Sequence, residues 1–105
     1  MVRVAKKLAA KSDHEHFRHG ALVIKAGNVI ARGYNKGVKH AEVAALEKVD
    51  PDKRKGCTVI SVRITKLGKL AMAKPCAKCE KFMREYGVAV VEWSDAFEQM
   101  HREKL

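Results

Sequence analysis

Residues 57–64 read CTVISVRI, a β-branched segment that is apolar on both faces. Such a strand belongs at the centre of a sheet, covered from either side. The neighbouring segments supply that cover. RVAKKLAAK, residues 3–11, places Val4, Ala5, Leu8 and Ala9 on one face, the spacing of an amphipathic first helix. GALVIK and NVIARGYN are short apolar runs joined through Lys25, Ala26, Gly27 and Asn28. Gly and Asn tolerate positive φ, so this pair predicts a hairpin. HAEVAALEKV, residues 40–49, predicts a helix stopped by Asp50 and Pro51. The basic run DKRKG, residues 52–56, predicts a loop. CAKCEKFMREY predicts a further helix closed by Gly87, VAVVEW the next and last strand, and DAFEQMHREK a final amphipathic helix. Helices alternating with late strands require crossovers, so the last strands should be parallel neighbours between helices.

At 105 residues the chain has room for one domain, 1–105, with a real core and little surplus stability. Its 47% hydrophobic and 32% charged residues are an ordinary globular balance. No apolar run approaches the roughly 18 residues of a membrane span. Residues 1–17 lack the apolar core of an export signal, so we expect a cytoplasmic protein with no membrane partner. The three cysteines are odd in number and two lie as C-x-x-C, which points to a metal or redox role rather than a disulfide framework. Net charge is +10, from 22 Lys+Arg against 12 Asp+Glu, and favours anionic partners, nucleotides or nucleic acid. Because the lysines are spread along the chain, solubilising charge is an equal reading.

The chemistry gathers in two motifs. Cys76 and Cys79 stand at i and i+3 on one face of a helix's first turn, with Pro75 before them as a helix start. The positive end of the helix dipole favours thiolates there and readies them as metal ligands. Two sulfurs alone do not define a site. His40, at the start of another helix, supplies a third ligand of the right kind, and three protein ligands leave the fourth position of a catalytic zinc open for water. Glu42, one residue past Ala41, is then placed to face that water and carry protons without binding the metal. Alone, C-x-x-C is more often a redox pair or half of a structural zinc knuckle, and H-x-E is weaker still. Together, each at a helix start with a strand between, they match the H-x-E…P-C-x-x-C signature of zinc nucleobase deaminases.

The segments HGALVIKAGNVIARGYN, HAEVAAL and KPCAKCEKFMREYGVAVVEWS resemble the cytidine deaminase superfamily over roughly residues 12–94. The resemblance implies a three-layer α-β-α fold with a mixed sheet of about four to five strands and helices on both faces. It implies Zn2+ held by His40, Cys76 and Cys79, with Glu42 as proton shuttle. It further implies that Asn35 and the backbone amide of Ala41 meet the substrate, and that Trp93 lies near the pocket. A core or interface tryptophan is an equal reading of Trp93. Histidine at the first ligand position is similar to the branch holding deoxycytidylate, cytosine, guanine and tRNA-adenosine deaminases. Only Lys36 to Lys39 separate Asn35 from His40, and the chain ends one expected helix after VAVVEW, so the segments that often contact substrate are short.

Other candidates weigh less. His14, His16 and His19 in HEHFRH have no cysteine nearby; His19 or Phe17 would more readily line a pocket. Cys57 reads as a small hydrophobe, although as a fourth ligand it would turn the site structural. His101 receives no role. The expected activity is hydrolytic deamination of cytosine in a (deoxy)cytidine nucleoside or nucleotide. Alternatives are a base in single-stranded RNA or DNA, a purine base, or a non-catalytic zinc-stabilised module. A small-molecule substrate is favoured over a strand, because aromatics are only 6% and long basic loops are lacking, while Lys36, Lys39, Lys74 and Lys78 flank the motifs. We also expect a homo-oligomer, because a domain this small buries modest area alone.

Overall fold

The computed structural model of the protein describes residues 1–13, 18–36 and 39–105. His14, His16 and Phe17 lie outside the described residues. In chain order the elements are α1 (Val2–Ala9), β1 (Arg18–Lys25), β2 (Asn28–Tyr34), α2 (Ala41–Leu46), α3 (Pro51–Arg54), β3 (Thr58–Ile64), β4 (Leu70–Ala71), α4 (Ala77–Glu85), β5 (Val90–Ser94) and β6 (Met100–Lys104). The strands form one sheet in the order β2-β1-β3-β5-β6, with short β4 paired to the end of β3. β3 is central, antiparallel to β1 and parallel to β5.

Two apolar layers follow from that centre. Leu22, Ile60, Val62 and Ile64 face α1, where Ala5, Leu8 and Ala9 close the core. The alternate residues Ala21, Val23, Val59, Val91 and Trp93 face the opposite way, onto Ala41, Ala45 and Leu46 of α2 and Met83 of α4. Full burial of Leu46 or Met83 contributes about 1.5–3 kcal/mol each. This is the three-layer mixed α/β arrangement, with helices on both faces of the sheet.

Two glycines set the spacing between layers. A Cβ on Gly20 would lie 2.2 Å from the Ala5 carbonyl, and one on Gly33 would lie 2.6 Å from the Ala45 nitrogen and 2.7 Å from the Ala41 carbonyl. Each helix therefore rests directly on strand backbone. Gly33, Ala21, Ser61, Trp93 and His101 are opposed in register across the sheet and form one row on the α2 face.

The first hairpin turns at Ala26 and Gly27, both with positive φ, so the strained position belongs to Ala26 rather than Asn28. Helix α4 ends as expected: Gly87 donates to the Arg84 carbonyl and Val88 to the Met83 carbonyl, both at 3.0 Å, around the positive φ of Gly87. Three expectations need correction. Residues 52–56 are not simply loop, because Pro51 starts a single helical turn, α3. Helix α2 stops at Leu46, short of Val49. The final helix is not formed: residues 95–99 turn the chain back, and Met100–Lys104 pair antiparallel with β5. Asp95 Oδ1 accepts from the amides of Phe97 and Gln99, at 2.8 and 3.0 Å, a local alternative to a helical turn. The edge of β5 then offers backbone partners to the rest. VAVVEW is therefore not the last strand, and Trp93 sits inside β5.

Candidate metal centre

Both motifs enter their helices in the same way. His40 is the N-cap of α2 and Cys76 the N-cap of α4, each with extended φ and ψ, and neither side chain caps its own helix. Caps are ordinarily Ser, Thr, Asp or Asn, whose oxygens bond the first amides. Histidine and cysteine forgo that stabilisation, and their side chains are directed at each other's helix instead. The ligand atoms of His40, Cys76 and Cys79 all lie within 4.8 Å of one another, with His40 Nδ1 3.2 Å from Cys79 Sγ.

The approach to Cys76 is stitched down from two sides. Ser94 Oγ donates to the Ala71 carbonyl at 2.8 Å, and the Ala73 amide donates to the Ser94 carbonyl at 2.9 Å. The Leu70 amide donates to Glu98 Oε1 at 3.1 Å. The turn after β5 thus holds the segment that delivers the first cysteine. His101, which received no role from the sequence, donates from Nε2 to the Asp95 Oδ2 carboxylate at 2.7 Å and stacks on Trp93 at 5.5 Å between centroids. The Asp95 carboxyl is held below the usual carboxylate range, chiefly by that His101 bond and next by the Gln99 amide.

Glu42 is 3% exposed, on the sheet-facing side of α2, and Ser61 Oγ donates to its Oε1 at 2.8 Å. Ser61 was missed from the sequence, yet it carries a signal: a hydroxyl between Ile60 and Val62 in the middle of the central strand, fully buried, needs a partner.

The electrostatics favour a cation. Burial first, and then the Glu42 carboxylate and the Cys76 sulfur, push the Cys79 thiol up to about 12. The Cys79 amide, bonded to Cys76, holds the Cys76 thiol below its ordinary value. One imidazole nitrogen and two sulfurs beside a buried carboxylate form an anion-rich cluster. Its donor set is that of zinc, for which ligand separations of roughly 3.5–3.8 Å are tetrahedral. Among the described residues the group has three ligands, and Cys57, at the far end of β3 and fully buried, is not in it. The residues fit a zinc site with one position left to water.

A cavity of about 400 Å³ opens on the trio, lined by His40, Val43, Cys76, Lys78, Cys79 and Phe82. That volume suits a nucleobase-sized ligand. Ala41 is fully buried at the first position of α2, where helix geometry gives its amide no intrahelical acceptor. Asn35 and Trp93 are not among the described residues lining this cavity. Asn35, 8% exposed, accepts from the His19 amide at 2.9 Å and ties the end of β2 to the start of β1. Lys74 lies over the Trp93 ring at 5.5 Å. Lys36 and Lys39 border a different hollow with Tyr34 and Lys48, and Lys39 is paired to Glu47 at 2.8 Å.

Comparison with known proteins places this geometry. The family model described as "Cytidine and deoxycytidylate deaminase zinc-binding region" matches residues 1–94. Among solved structures, a dCMP deaminase from the cyanophage S-TIM5 is similar at TM-score 0.72 and 22% identity, over 89% of this chain and 78% of that one. RibD from Acinetobacter baumannii is similar at TM-score 0.66 and 20% identity, over 89% of this chain and 26% of that one. A diaminohydroxyphosphoribosylaminopyrimidine deaminase/5-amino-6-(5-phosphoribosylamino)uracil reductase from Thermotoga maritima is similar at TM-score 0.61 and 26% identity, over 89% of this chain and 28% of that one. The chain thus spans about a quarter of the two bacterial proteins. No curated protein matches it by sequence. No helix among the described residues is long and apolar enough to cross a membrane.

Proposed function

The chain belongs to the cytidine and deoxycytidylate deaminase zinc-binding family and is a zinc-dependent hydrolytic deaminase, and we propose that its substrate is cytosine carried in a (deoxy)cytidine nucleoside or nucleotide. The observation that carries the reading is Glu42, buried, fixed by Ser61 at 2.8 Å, and two residues from His40. In this reading His40, Cys76 and Cys79 hold the metal. Zinc, when bound, lowers the pKa of water toward neutrality and so supplies a nucleophile at ordinary pH.

The chain's own residues do the rest. Glu42 accepts the proton of the attacking water and passes it to the ring nitrogen beside the amine-bearing carbon. It then assists the amine to leave as ammonia, with the ring carbonyl of uracil as product. The Ser61 bond keeps the carboxylate aimed through these transfers. The Ala41 amide meets the ring carbonyl, Asn35 reaches the sugar or base from the end of β2, outside the described lining of the cavity, and Trp93 backs the site from the sheet. Lys78, at the cavity rim, offers a cation to a substrate phosphate. The cavity has one aromatic among its described lining residues, Phe82, which favours a small substrate over a strand needing several stacking platforms. Residues 1–105 act as one domain in a cytoplasmic homo-oligomer.

The test is ammonia release from cytosine, cytidine, deoxycytidine, their monophosphates, guanine and a short single-stranded oligonucleotide. Glu42→Ala should keep its zinc and fold and lose at least about 100-fold in rate, the low end for a general acid–base group. A Glu42→Ala enzyme near the parent rate would reject the proton-shuttle role. Turnover of the oligonucleotide with none of the monomers would reject the substrate.

A further inference from the structure

The sheet carries a second charged feature on the face away from the metal centre. Residues 1–12 and 53–79 contain no Asp or Glu, although both stretches are rich in Lys and Arg. The fold brings parts of the two together. A groove of about 500 Å³ runs between Arg3, Lys6 and Lys7 on α1 and Ile64, at the end of β3, with Gly68 in the turn after it. Lys66 and Lys69 stand exposed in the turn on its other bank, and Lys11 extends the α1 side.

Helix stability does not account for this arrangement. Lys6 and Lys7 lie in the last turn of α1, where the dipole favours cations, but Arg3 lies in the first turn, where it opposes them. Among the described residues Arg3, Lys6, Lys7 and Lys11 form no ion pair, whereas Lys39, Arg84 and Arg102 each meet a carboxylate. We propose that this groove docks the phosphate backbone of a double-helical nucleic acid.

The chemistry selects that partner. Eight residues of α1 rise about 12 Å, which spans three to four phosphates of one strand. No aromatic lines the groove among the described residues, so it holds no platform on which the bases of a single strand would stack. Ala5, Leu8 and Ala9 are spent against the sheet, and Val4 beside Met1, the large apolar residues left exposed at α1, are too few to make an apolar face that enters a lipid surface. The groove lies across the sheet from His40, Cys76 and Cys79, so docking holds the enzyme on nucleic acid without presenting a base to the metal centre.

Fluorescence anisotropy of a labelled DNA duplex of about 20 base pairs, between roughly 50 and 200 mM salt, tests this. Four to five neutralised phosphates give a slope of log K against log salt of about −4. The triple variant Arg3→Gln, Lys6→Gln, Lys7→Gln should reduce that slope by about 2.7 and leave turnover of small substrates unchanged. The double variant Lys81→Gln, Lys104→Gln, on α4 and β6, should keep the parent slope. The proposal is overturned if the triple variant retains the parent slope, or if the double variant loses as much per charge. It is equally overturned if vesicles containing phosphatidylserine bind more tightly than the duplex. A failure of the deaminase reading would appear in ammonia release and leave the salt slope untouched.

Discussion

Replacing Gly33 by Ala should damage catalysis more than it damages the fold. The added Cβ would sit 2.6 Å from the Ala45 nitrogen and 2.7 Å from the Ala41 carbonyl, while ordinary contact begins at 3.4 Å. The clashing atoms are backbone, so α2 itself must withdraw from β2 by about 0.7–0.8 Å. Glu42 rides on that helix, and its 2.8 Å bond to Ser61 stretches to about 3.5 Å, outside the hydroxyl–carboxylate range. Misplacing a reacting group by about 1 Å costs on the order of 100-fold in rate. Overpacking of this size costs about 1–3 kcal/mol of stability. The assay is ammonia release per folded molecule, with the folded fraction taken from circular dichroism at the same temperature. Gly20→Ala is the comparison, because its Cβ would meet the Ala5 carbonyl at 2.2 Å, a worse clash, but against α1 on the other face. It should destabilise at least as much and keep its rate per folded molecule. Equal rate losses in the two variants, or a folded Gly33→Ala enzyme at parent rate, would refute the claim that the α2–sheet spacing sets the position of Glu42.

Other outcomes follow from the same structure. Purified protein should carry near one zinc per chain by metal analysis, and Cys76→Ala or prolonged chelation should remove it and lower the thermal midpoint, because the cluster's buried carboxylate and sulfur are left without a cation. Asp95 has a depressed folded pKa, so its contribution to stability is present above the unfolded value near 4 and is lost as pH falls through the folded one. The gap in thermal midpoint between parent and Asp95→Asn should therefore be open at pH 7 and shrink below about pH 4. Light scattering at micromolar concentration should report an oligomer, and a fully active monomer would count against it.

The sequence exposed the two motifs and the central strand because each rests on local chemistry. His40, Glu42, Cys76 and Cys79 are legible from residue type and spacing, and CTVISVRI from apolarity on both faces. Their convergence needs the fold, which brings the starts of α2 and α4 together. What stayed hidden depends on distant partners. DAFEQMHREK has helix-forming residues throughout, but Asp95 captures two amides of its own turn and β5 has an open edge, so tertiary pairing overrides propensity. The link from His101 to Trp93 exists only once that strand is laid down. The Ser61–Glu42 bond joins residues 19 apart on different elements, and the sequence offers no more toward it than a serine set between Ile60 and Val62.

The order in which the sheet closes has a kinetic consequence. β1 with β2, and β5 with β6, are hairpins whose partners are adjacent in the chain and form from short loops. The β3–β5 pair is parallel and must wait for a crossover through β4 and α4. Closing that longer segment costs more entropy before any contact offsets it, and non-local pairings of this kind form slowly. The cluster of His40, Cys76 and Cys79 straddles this joint, with its cysteines inside the crossover and its histidine outside. On refolding, hairpin strand signal should therefore return first and deaminase activity last, with the non-local β1–β3 and β3–β5 joints setting the delay.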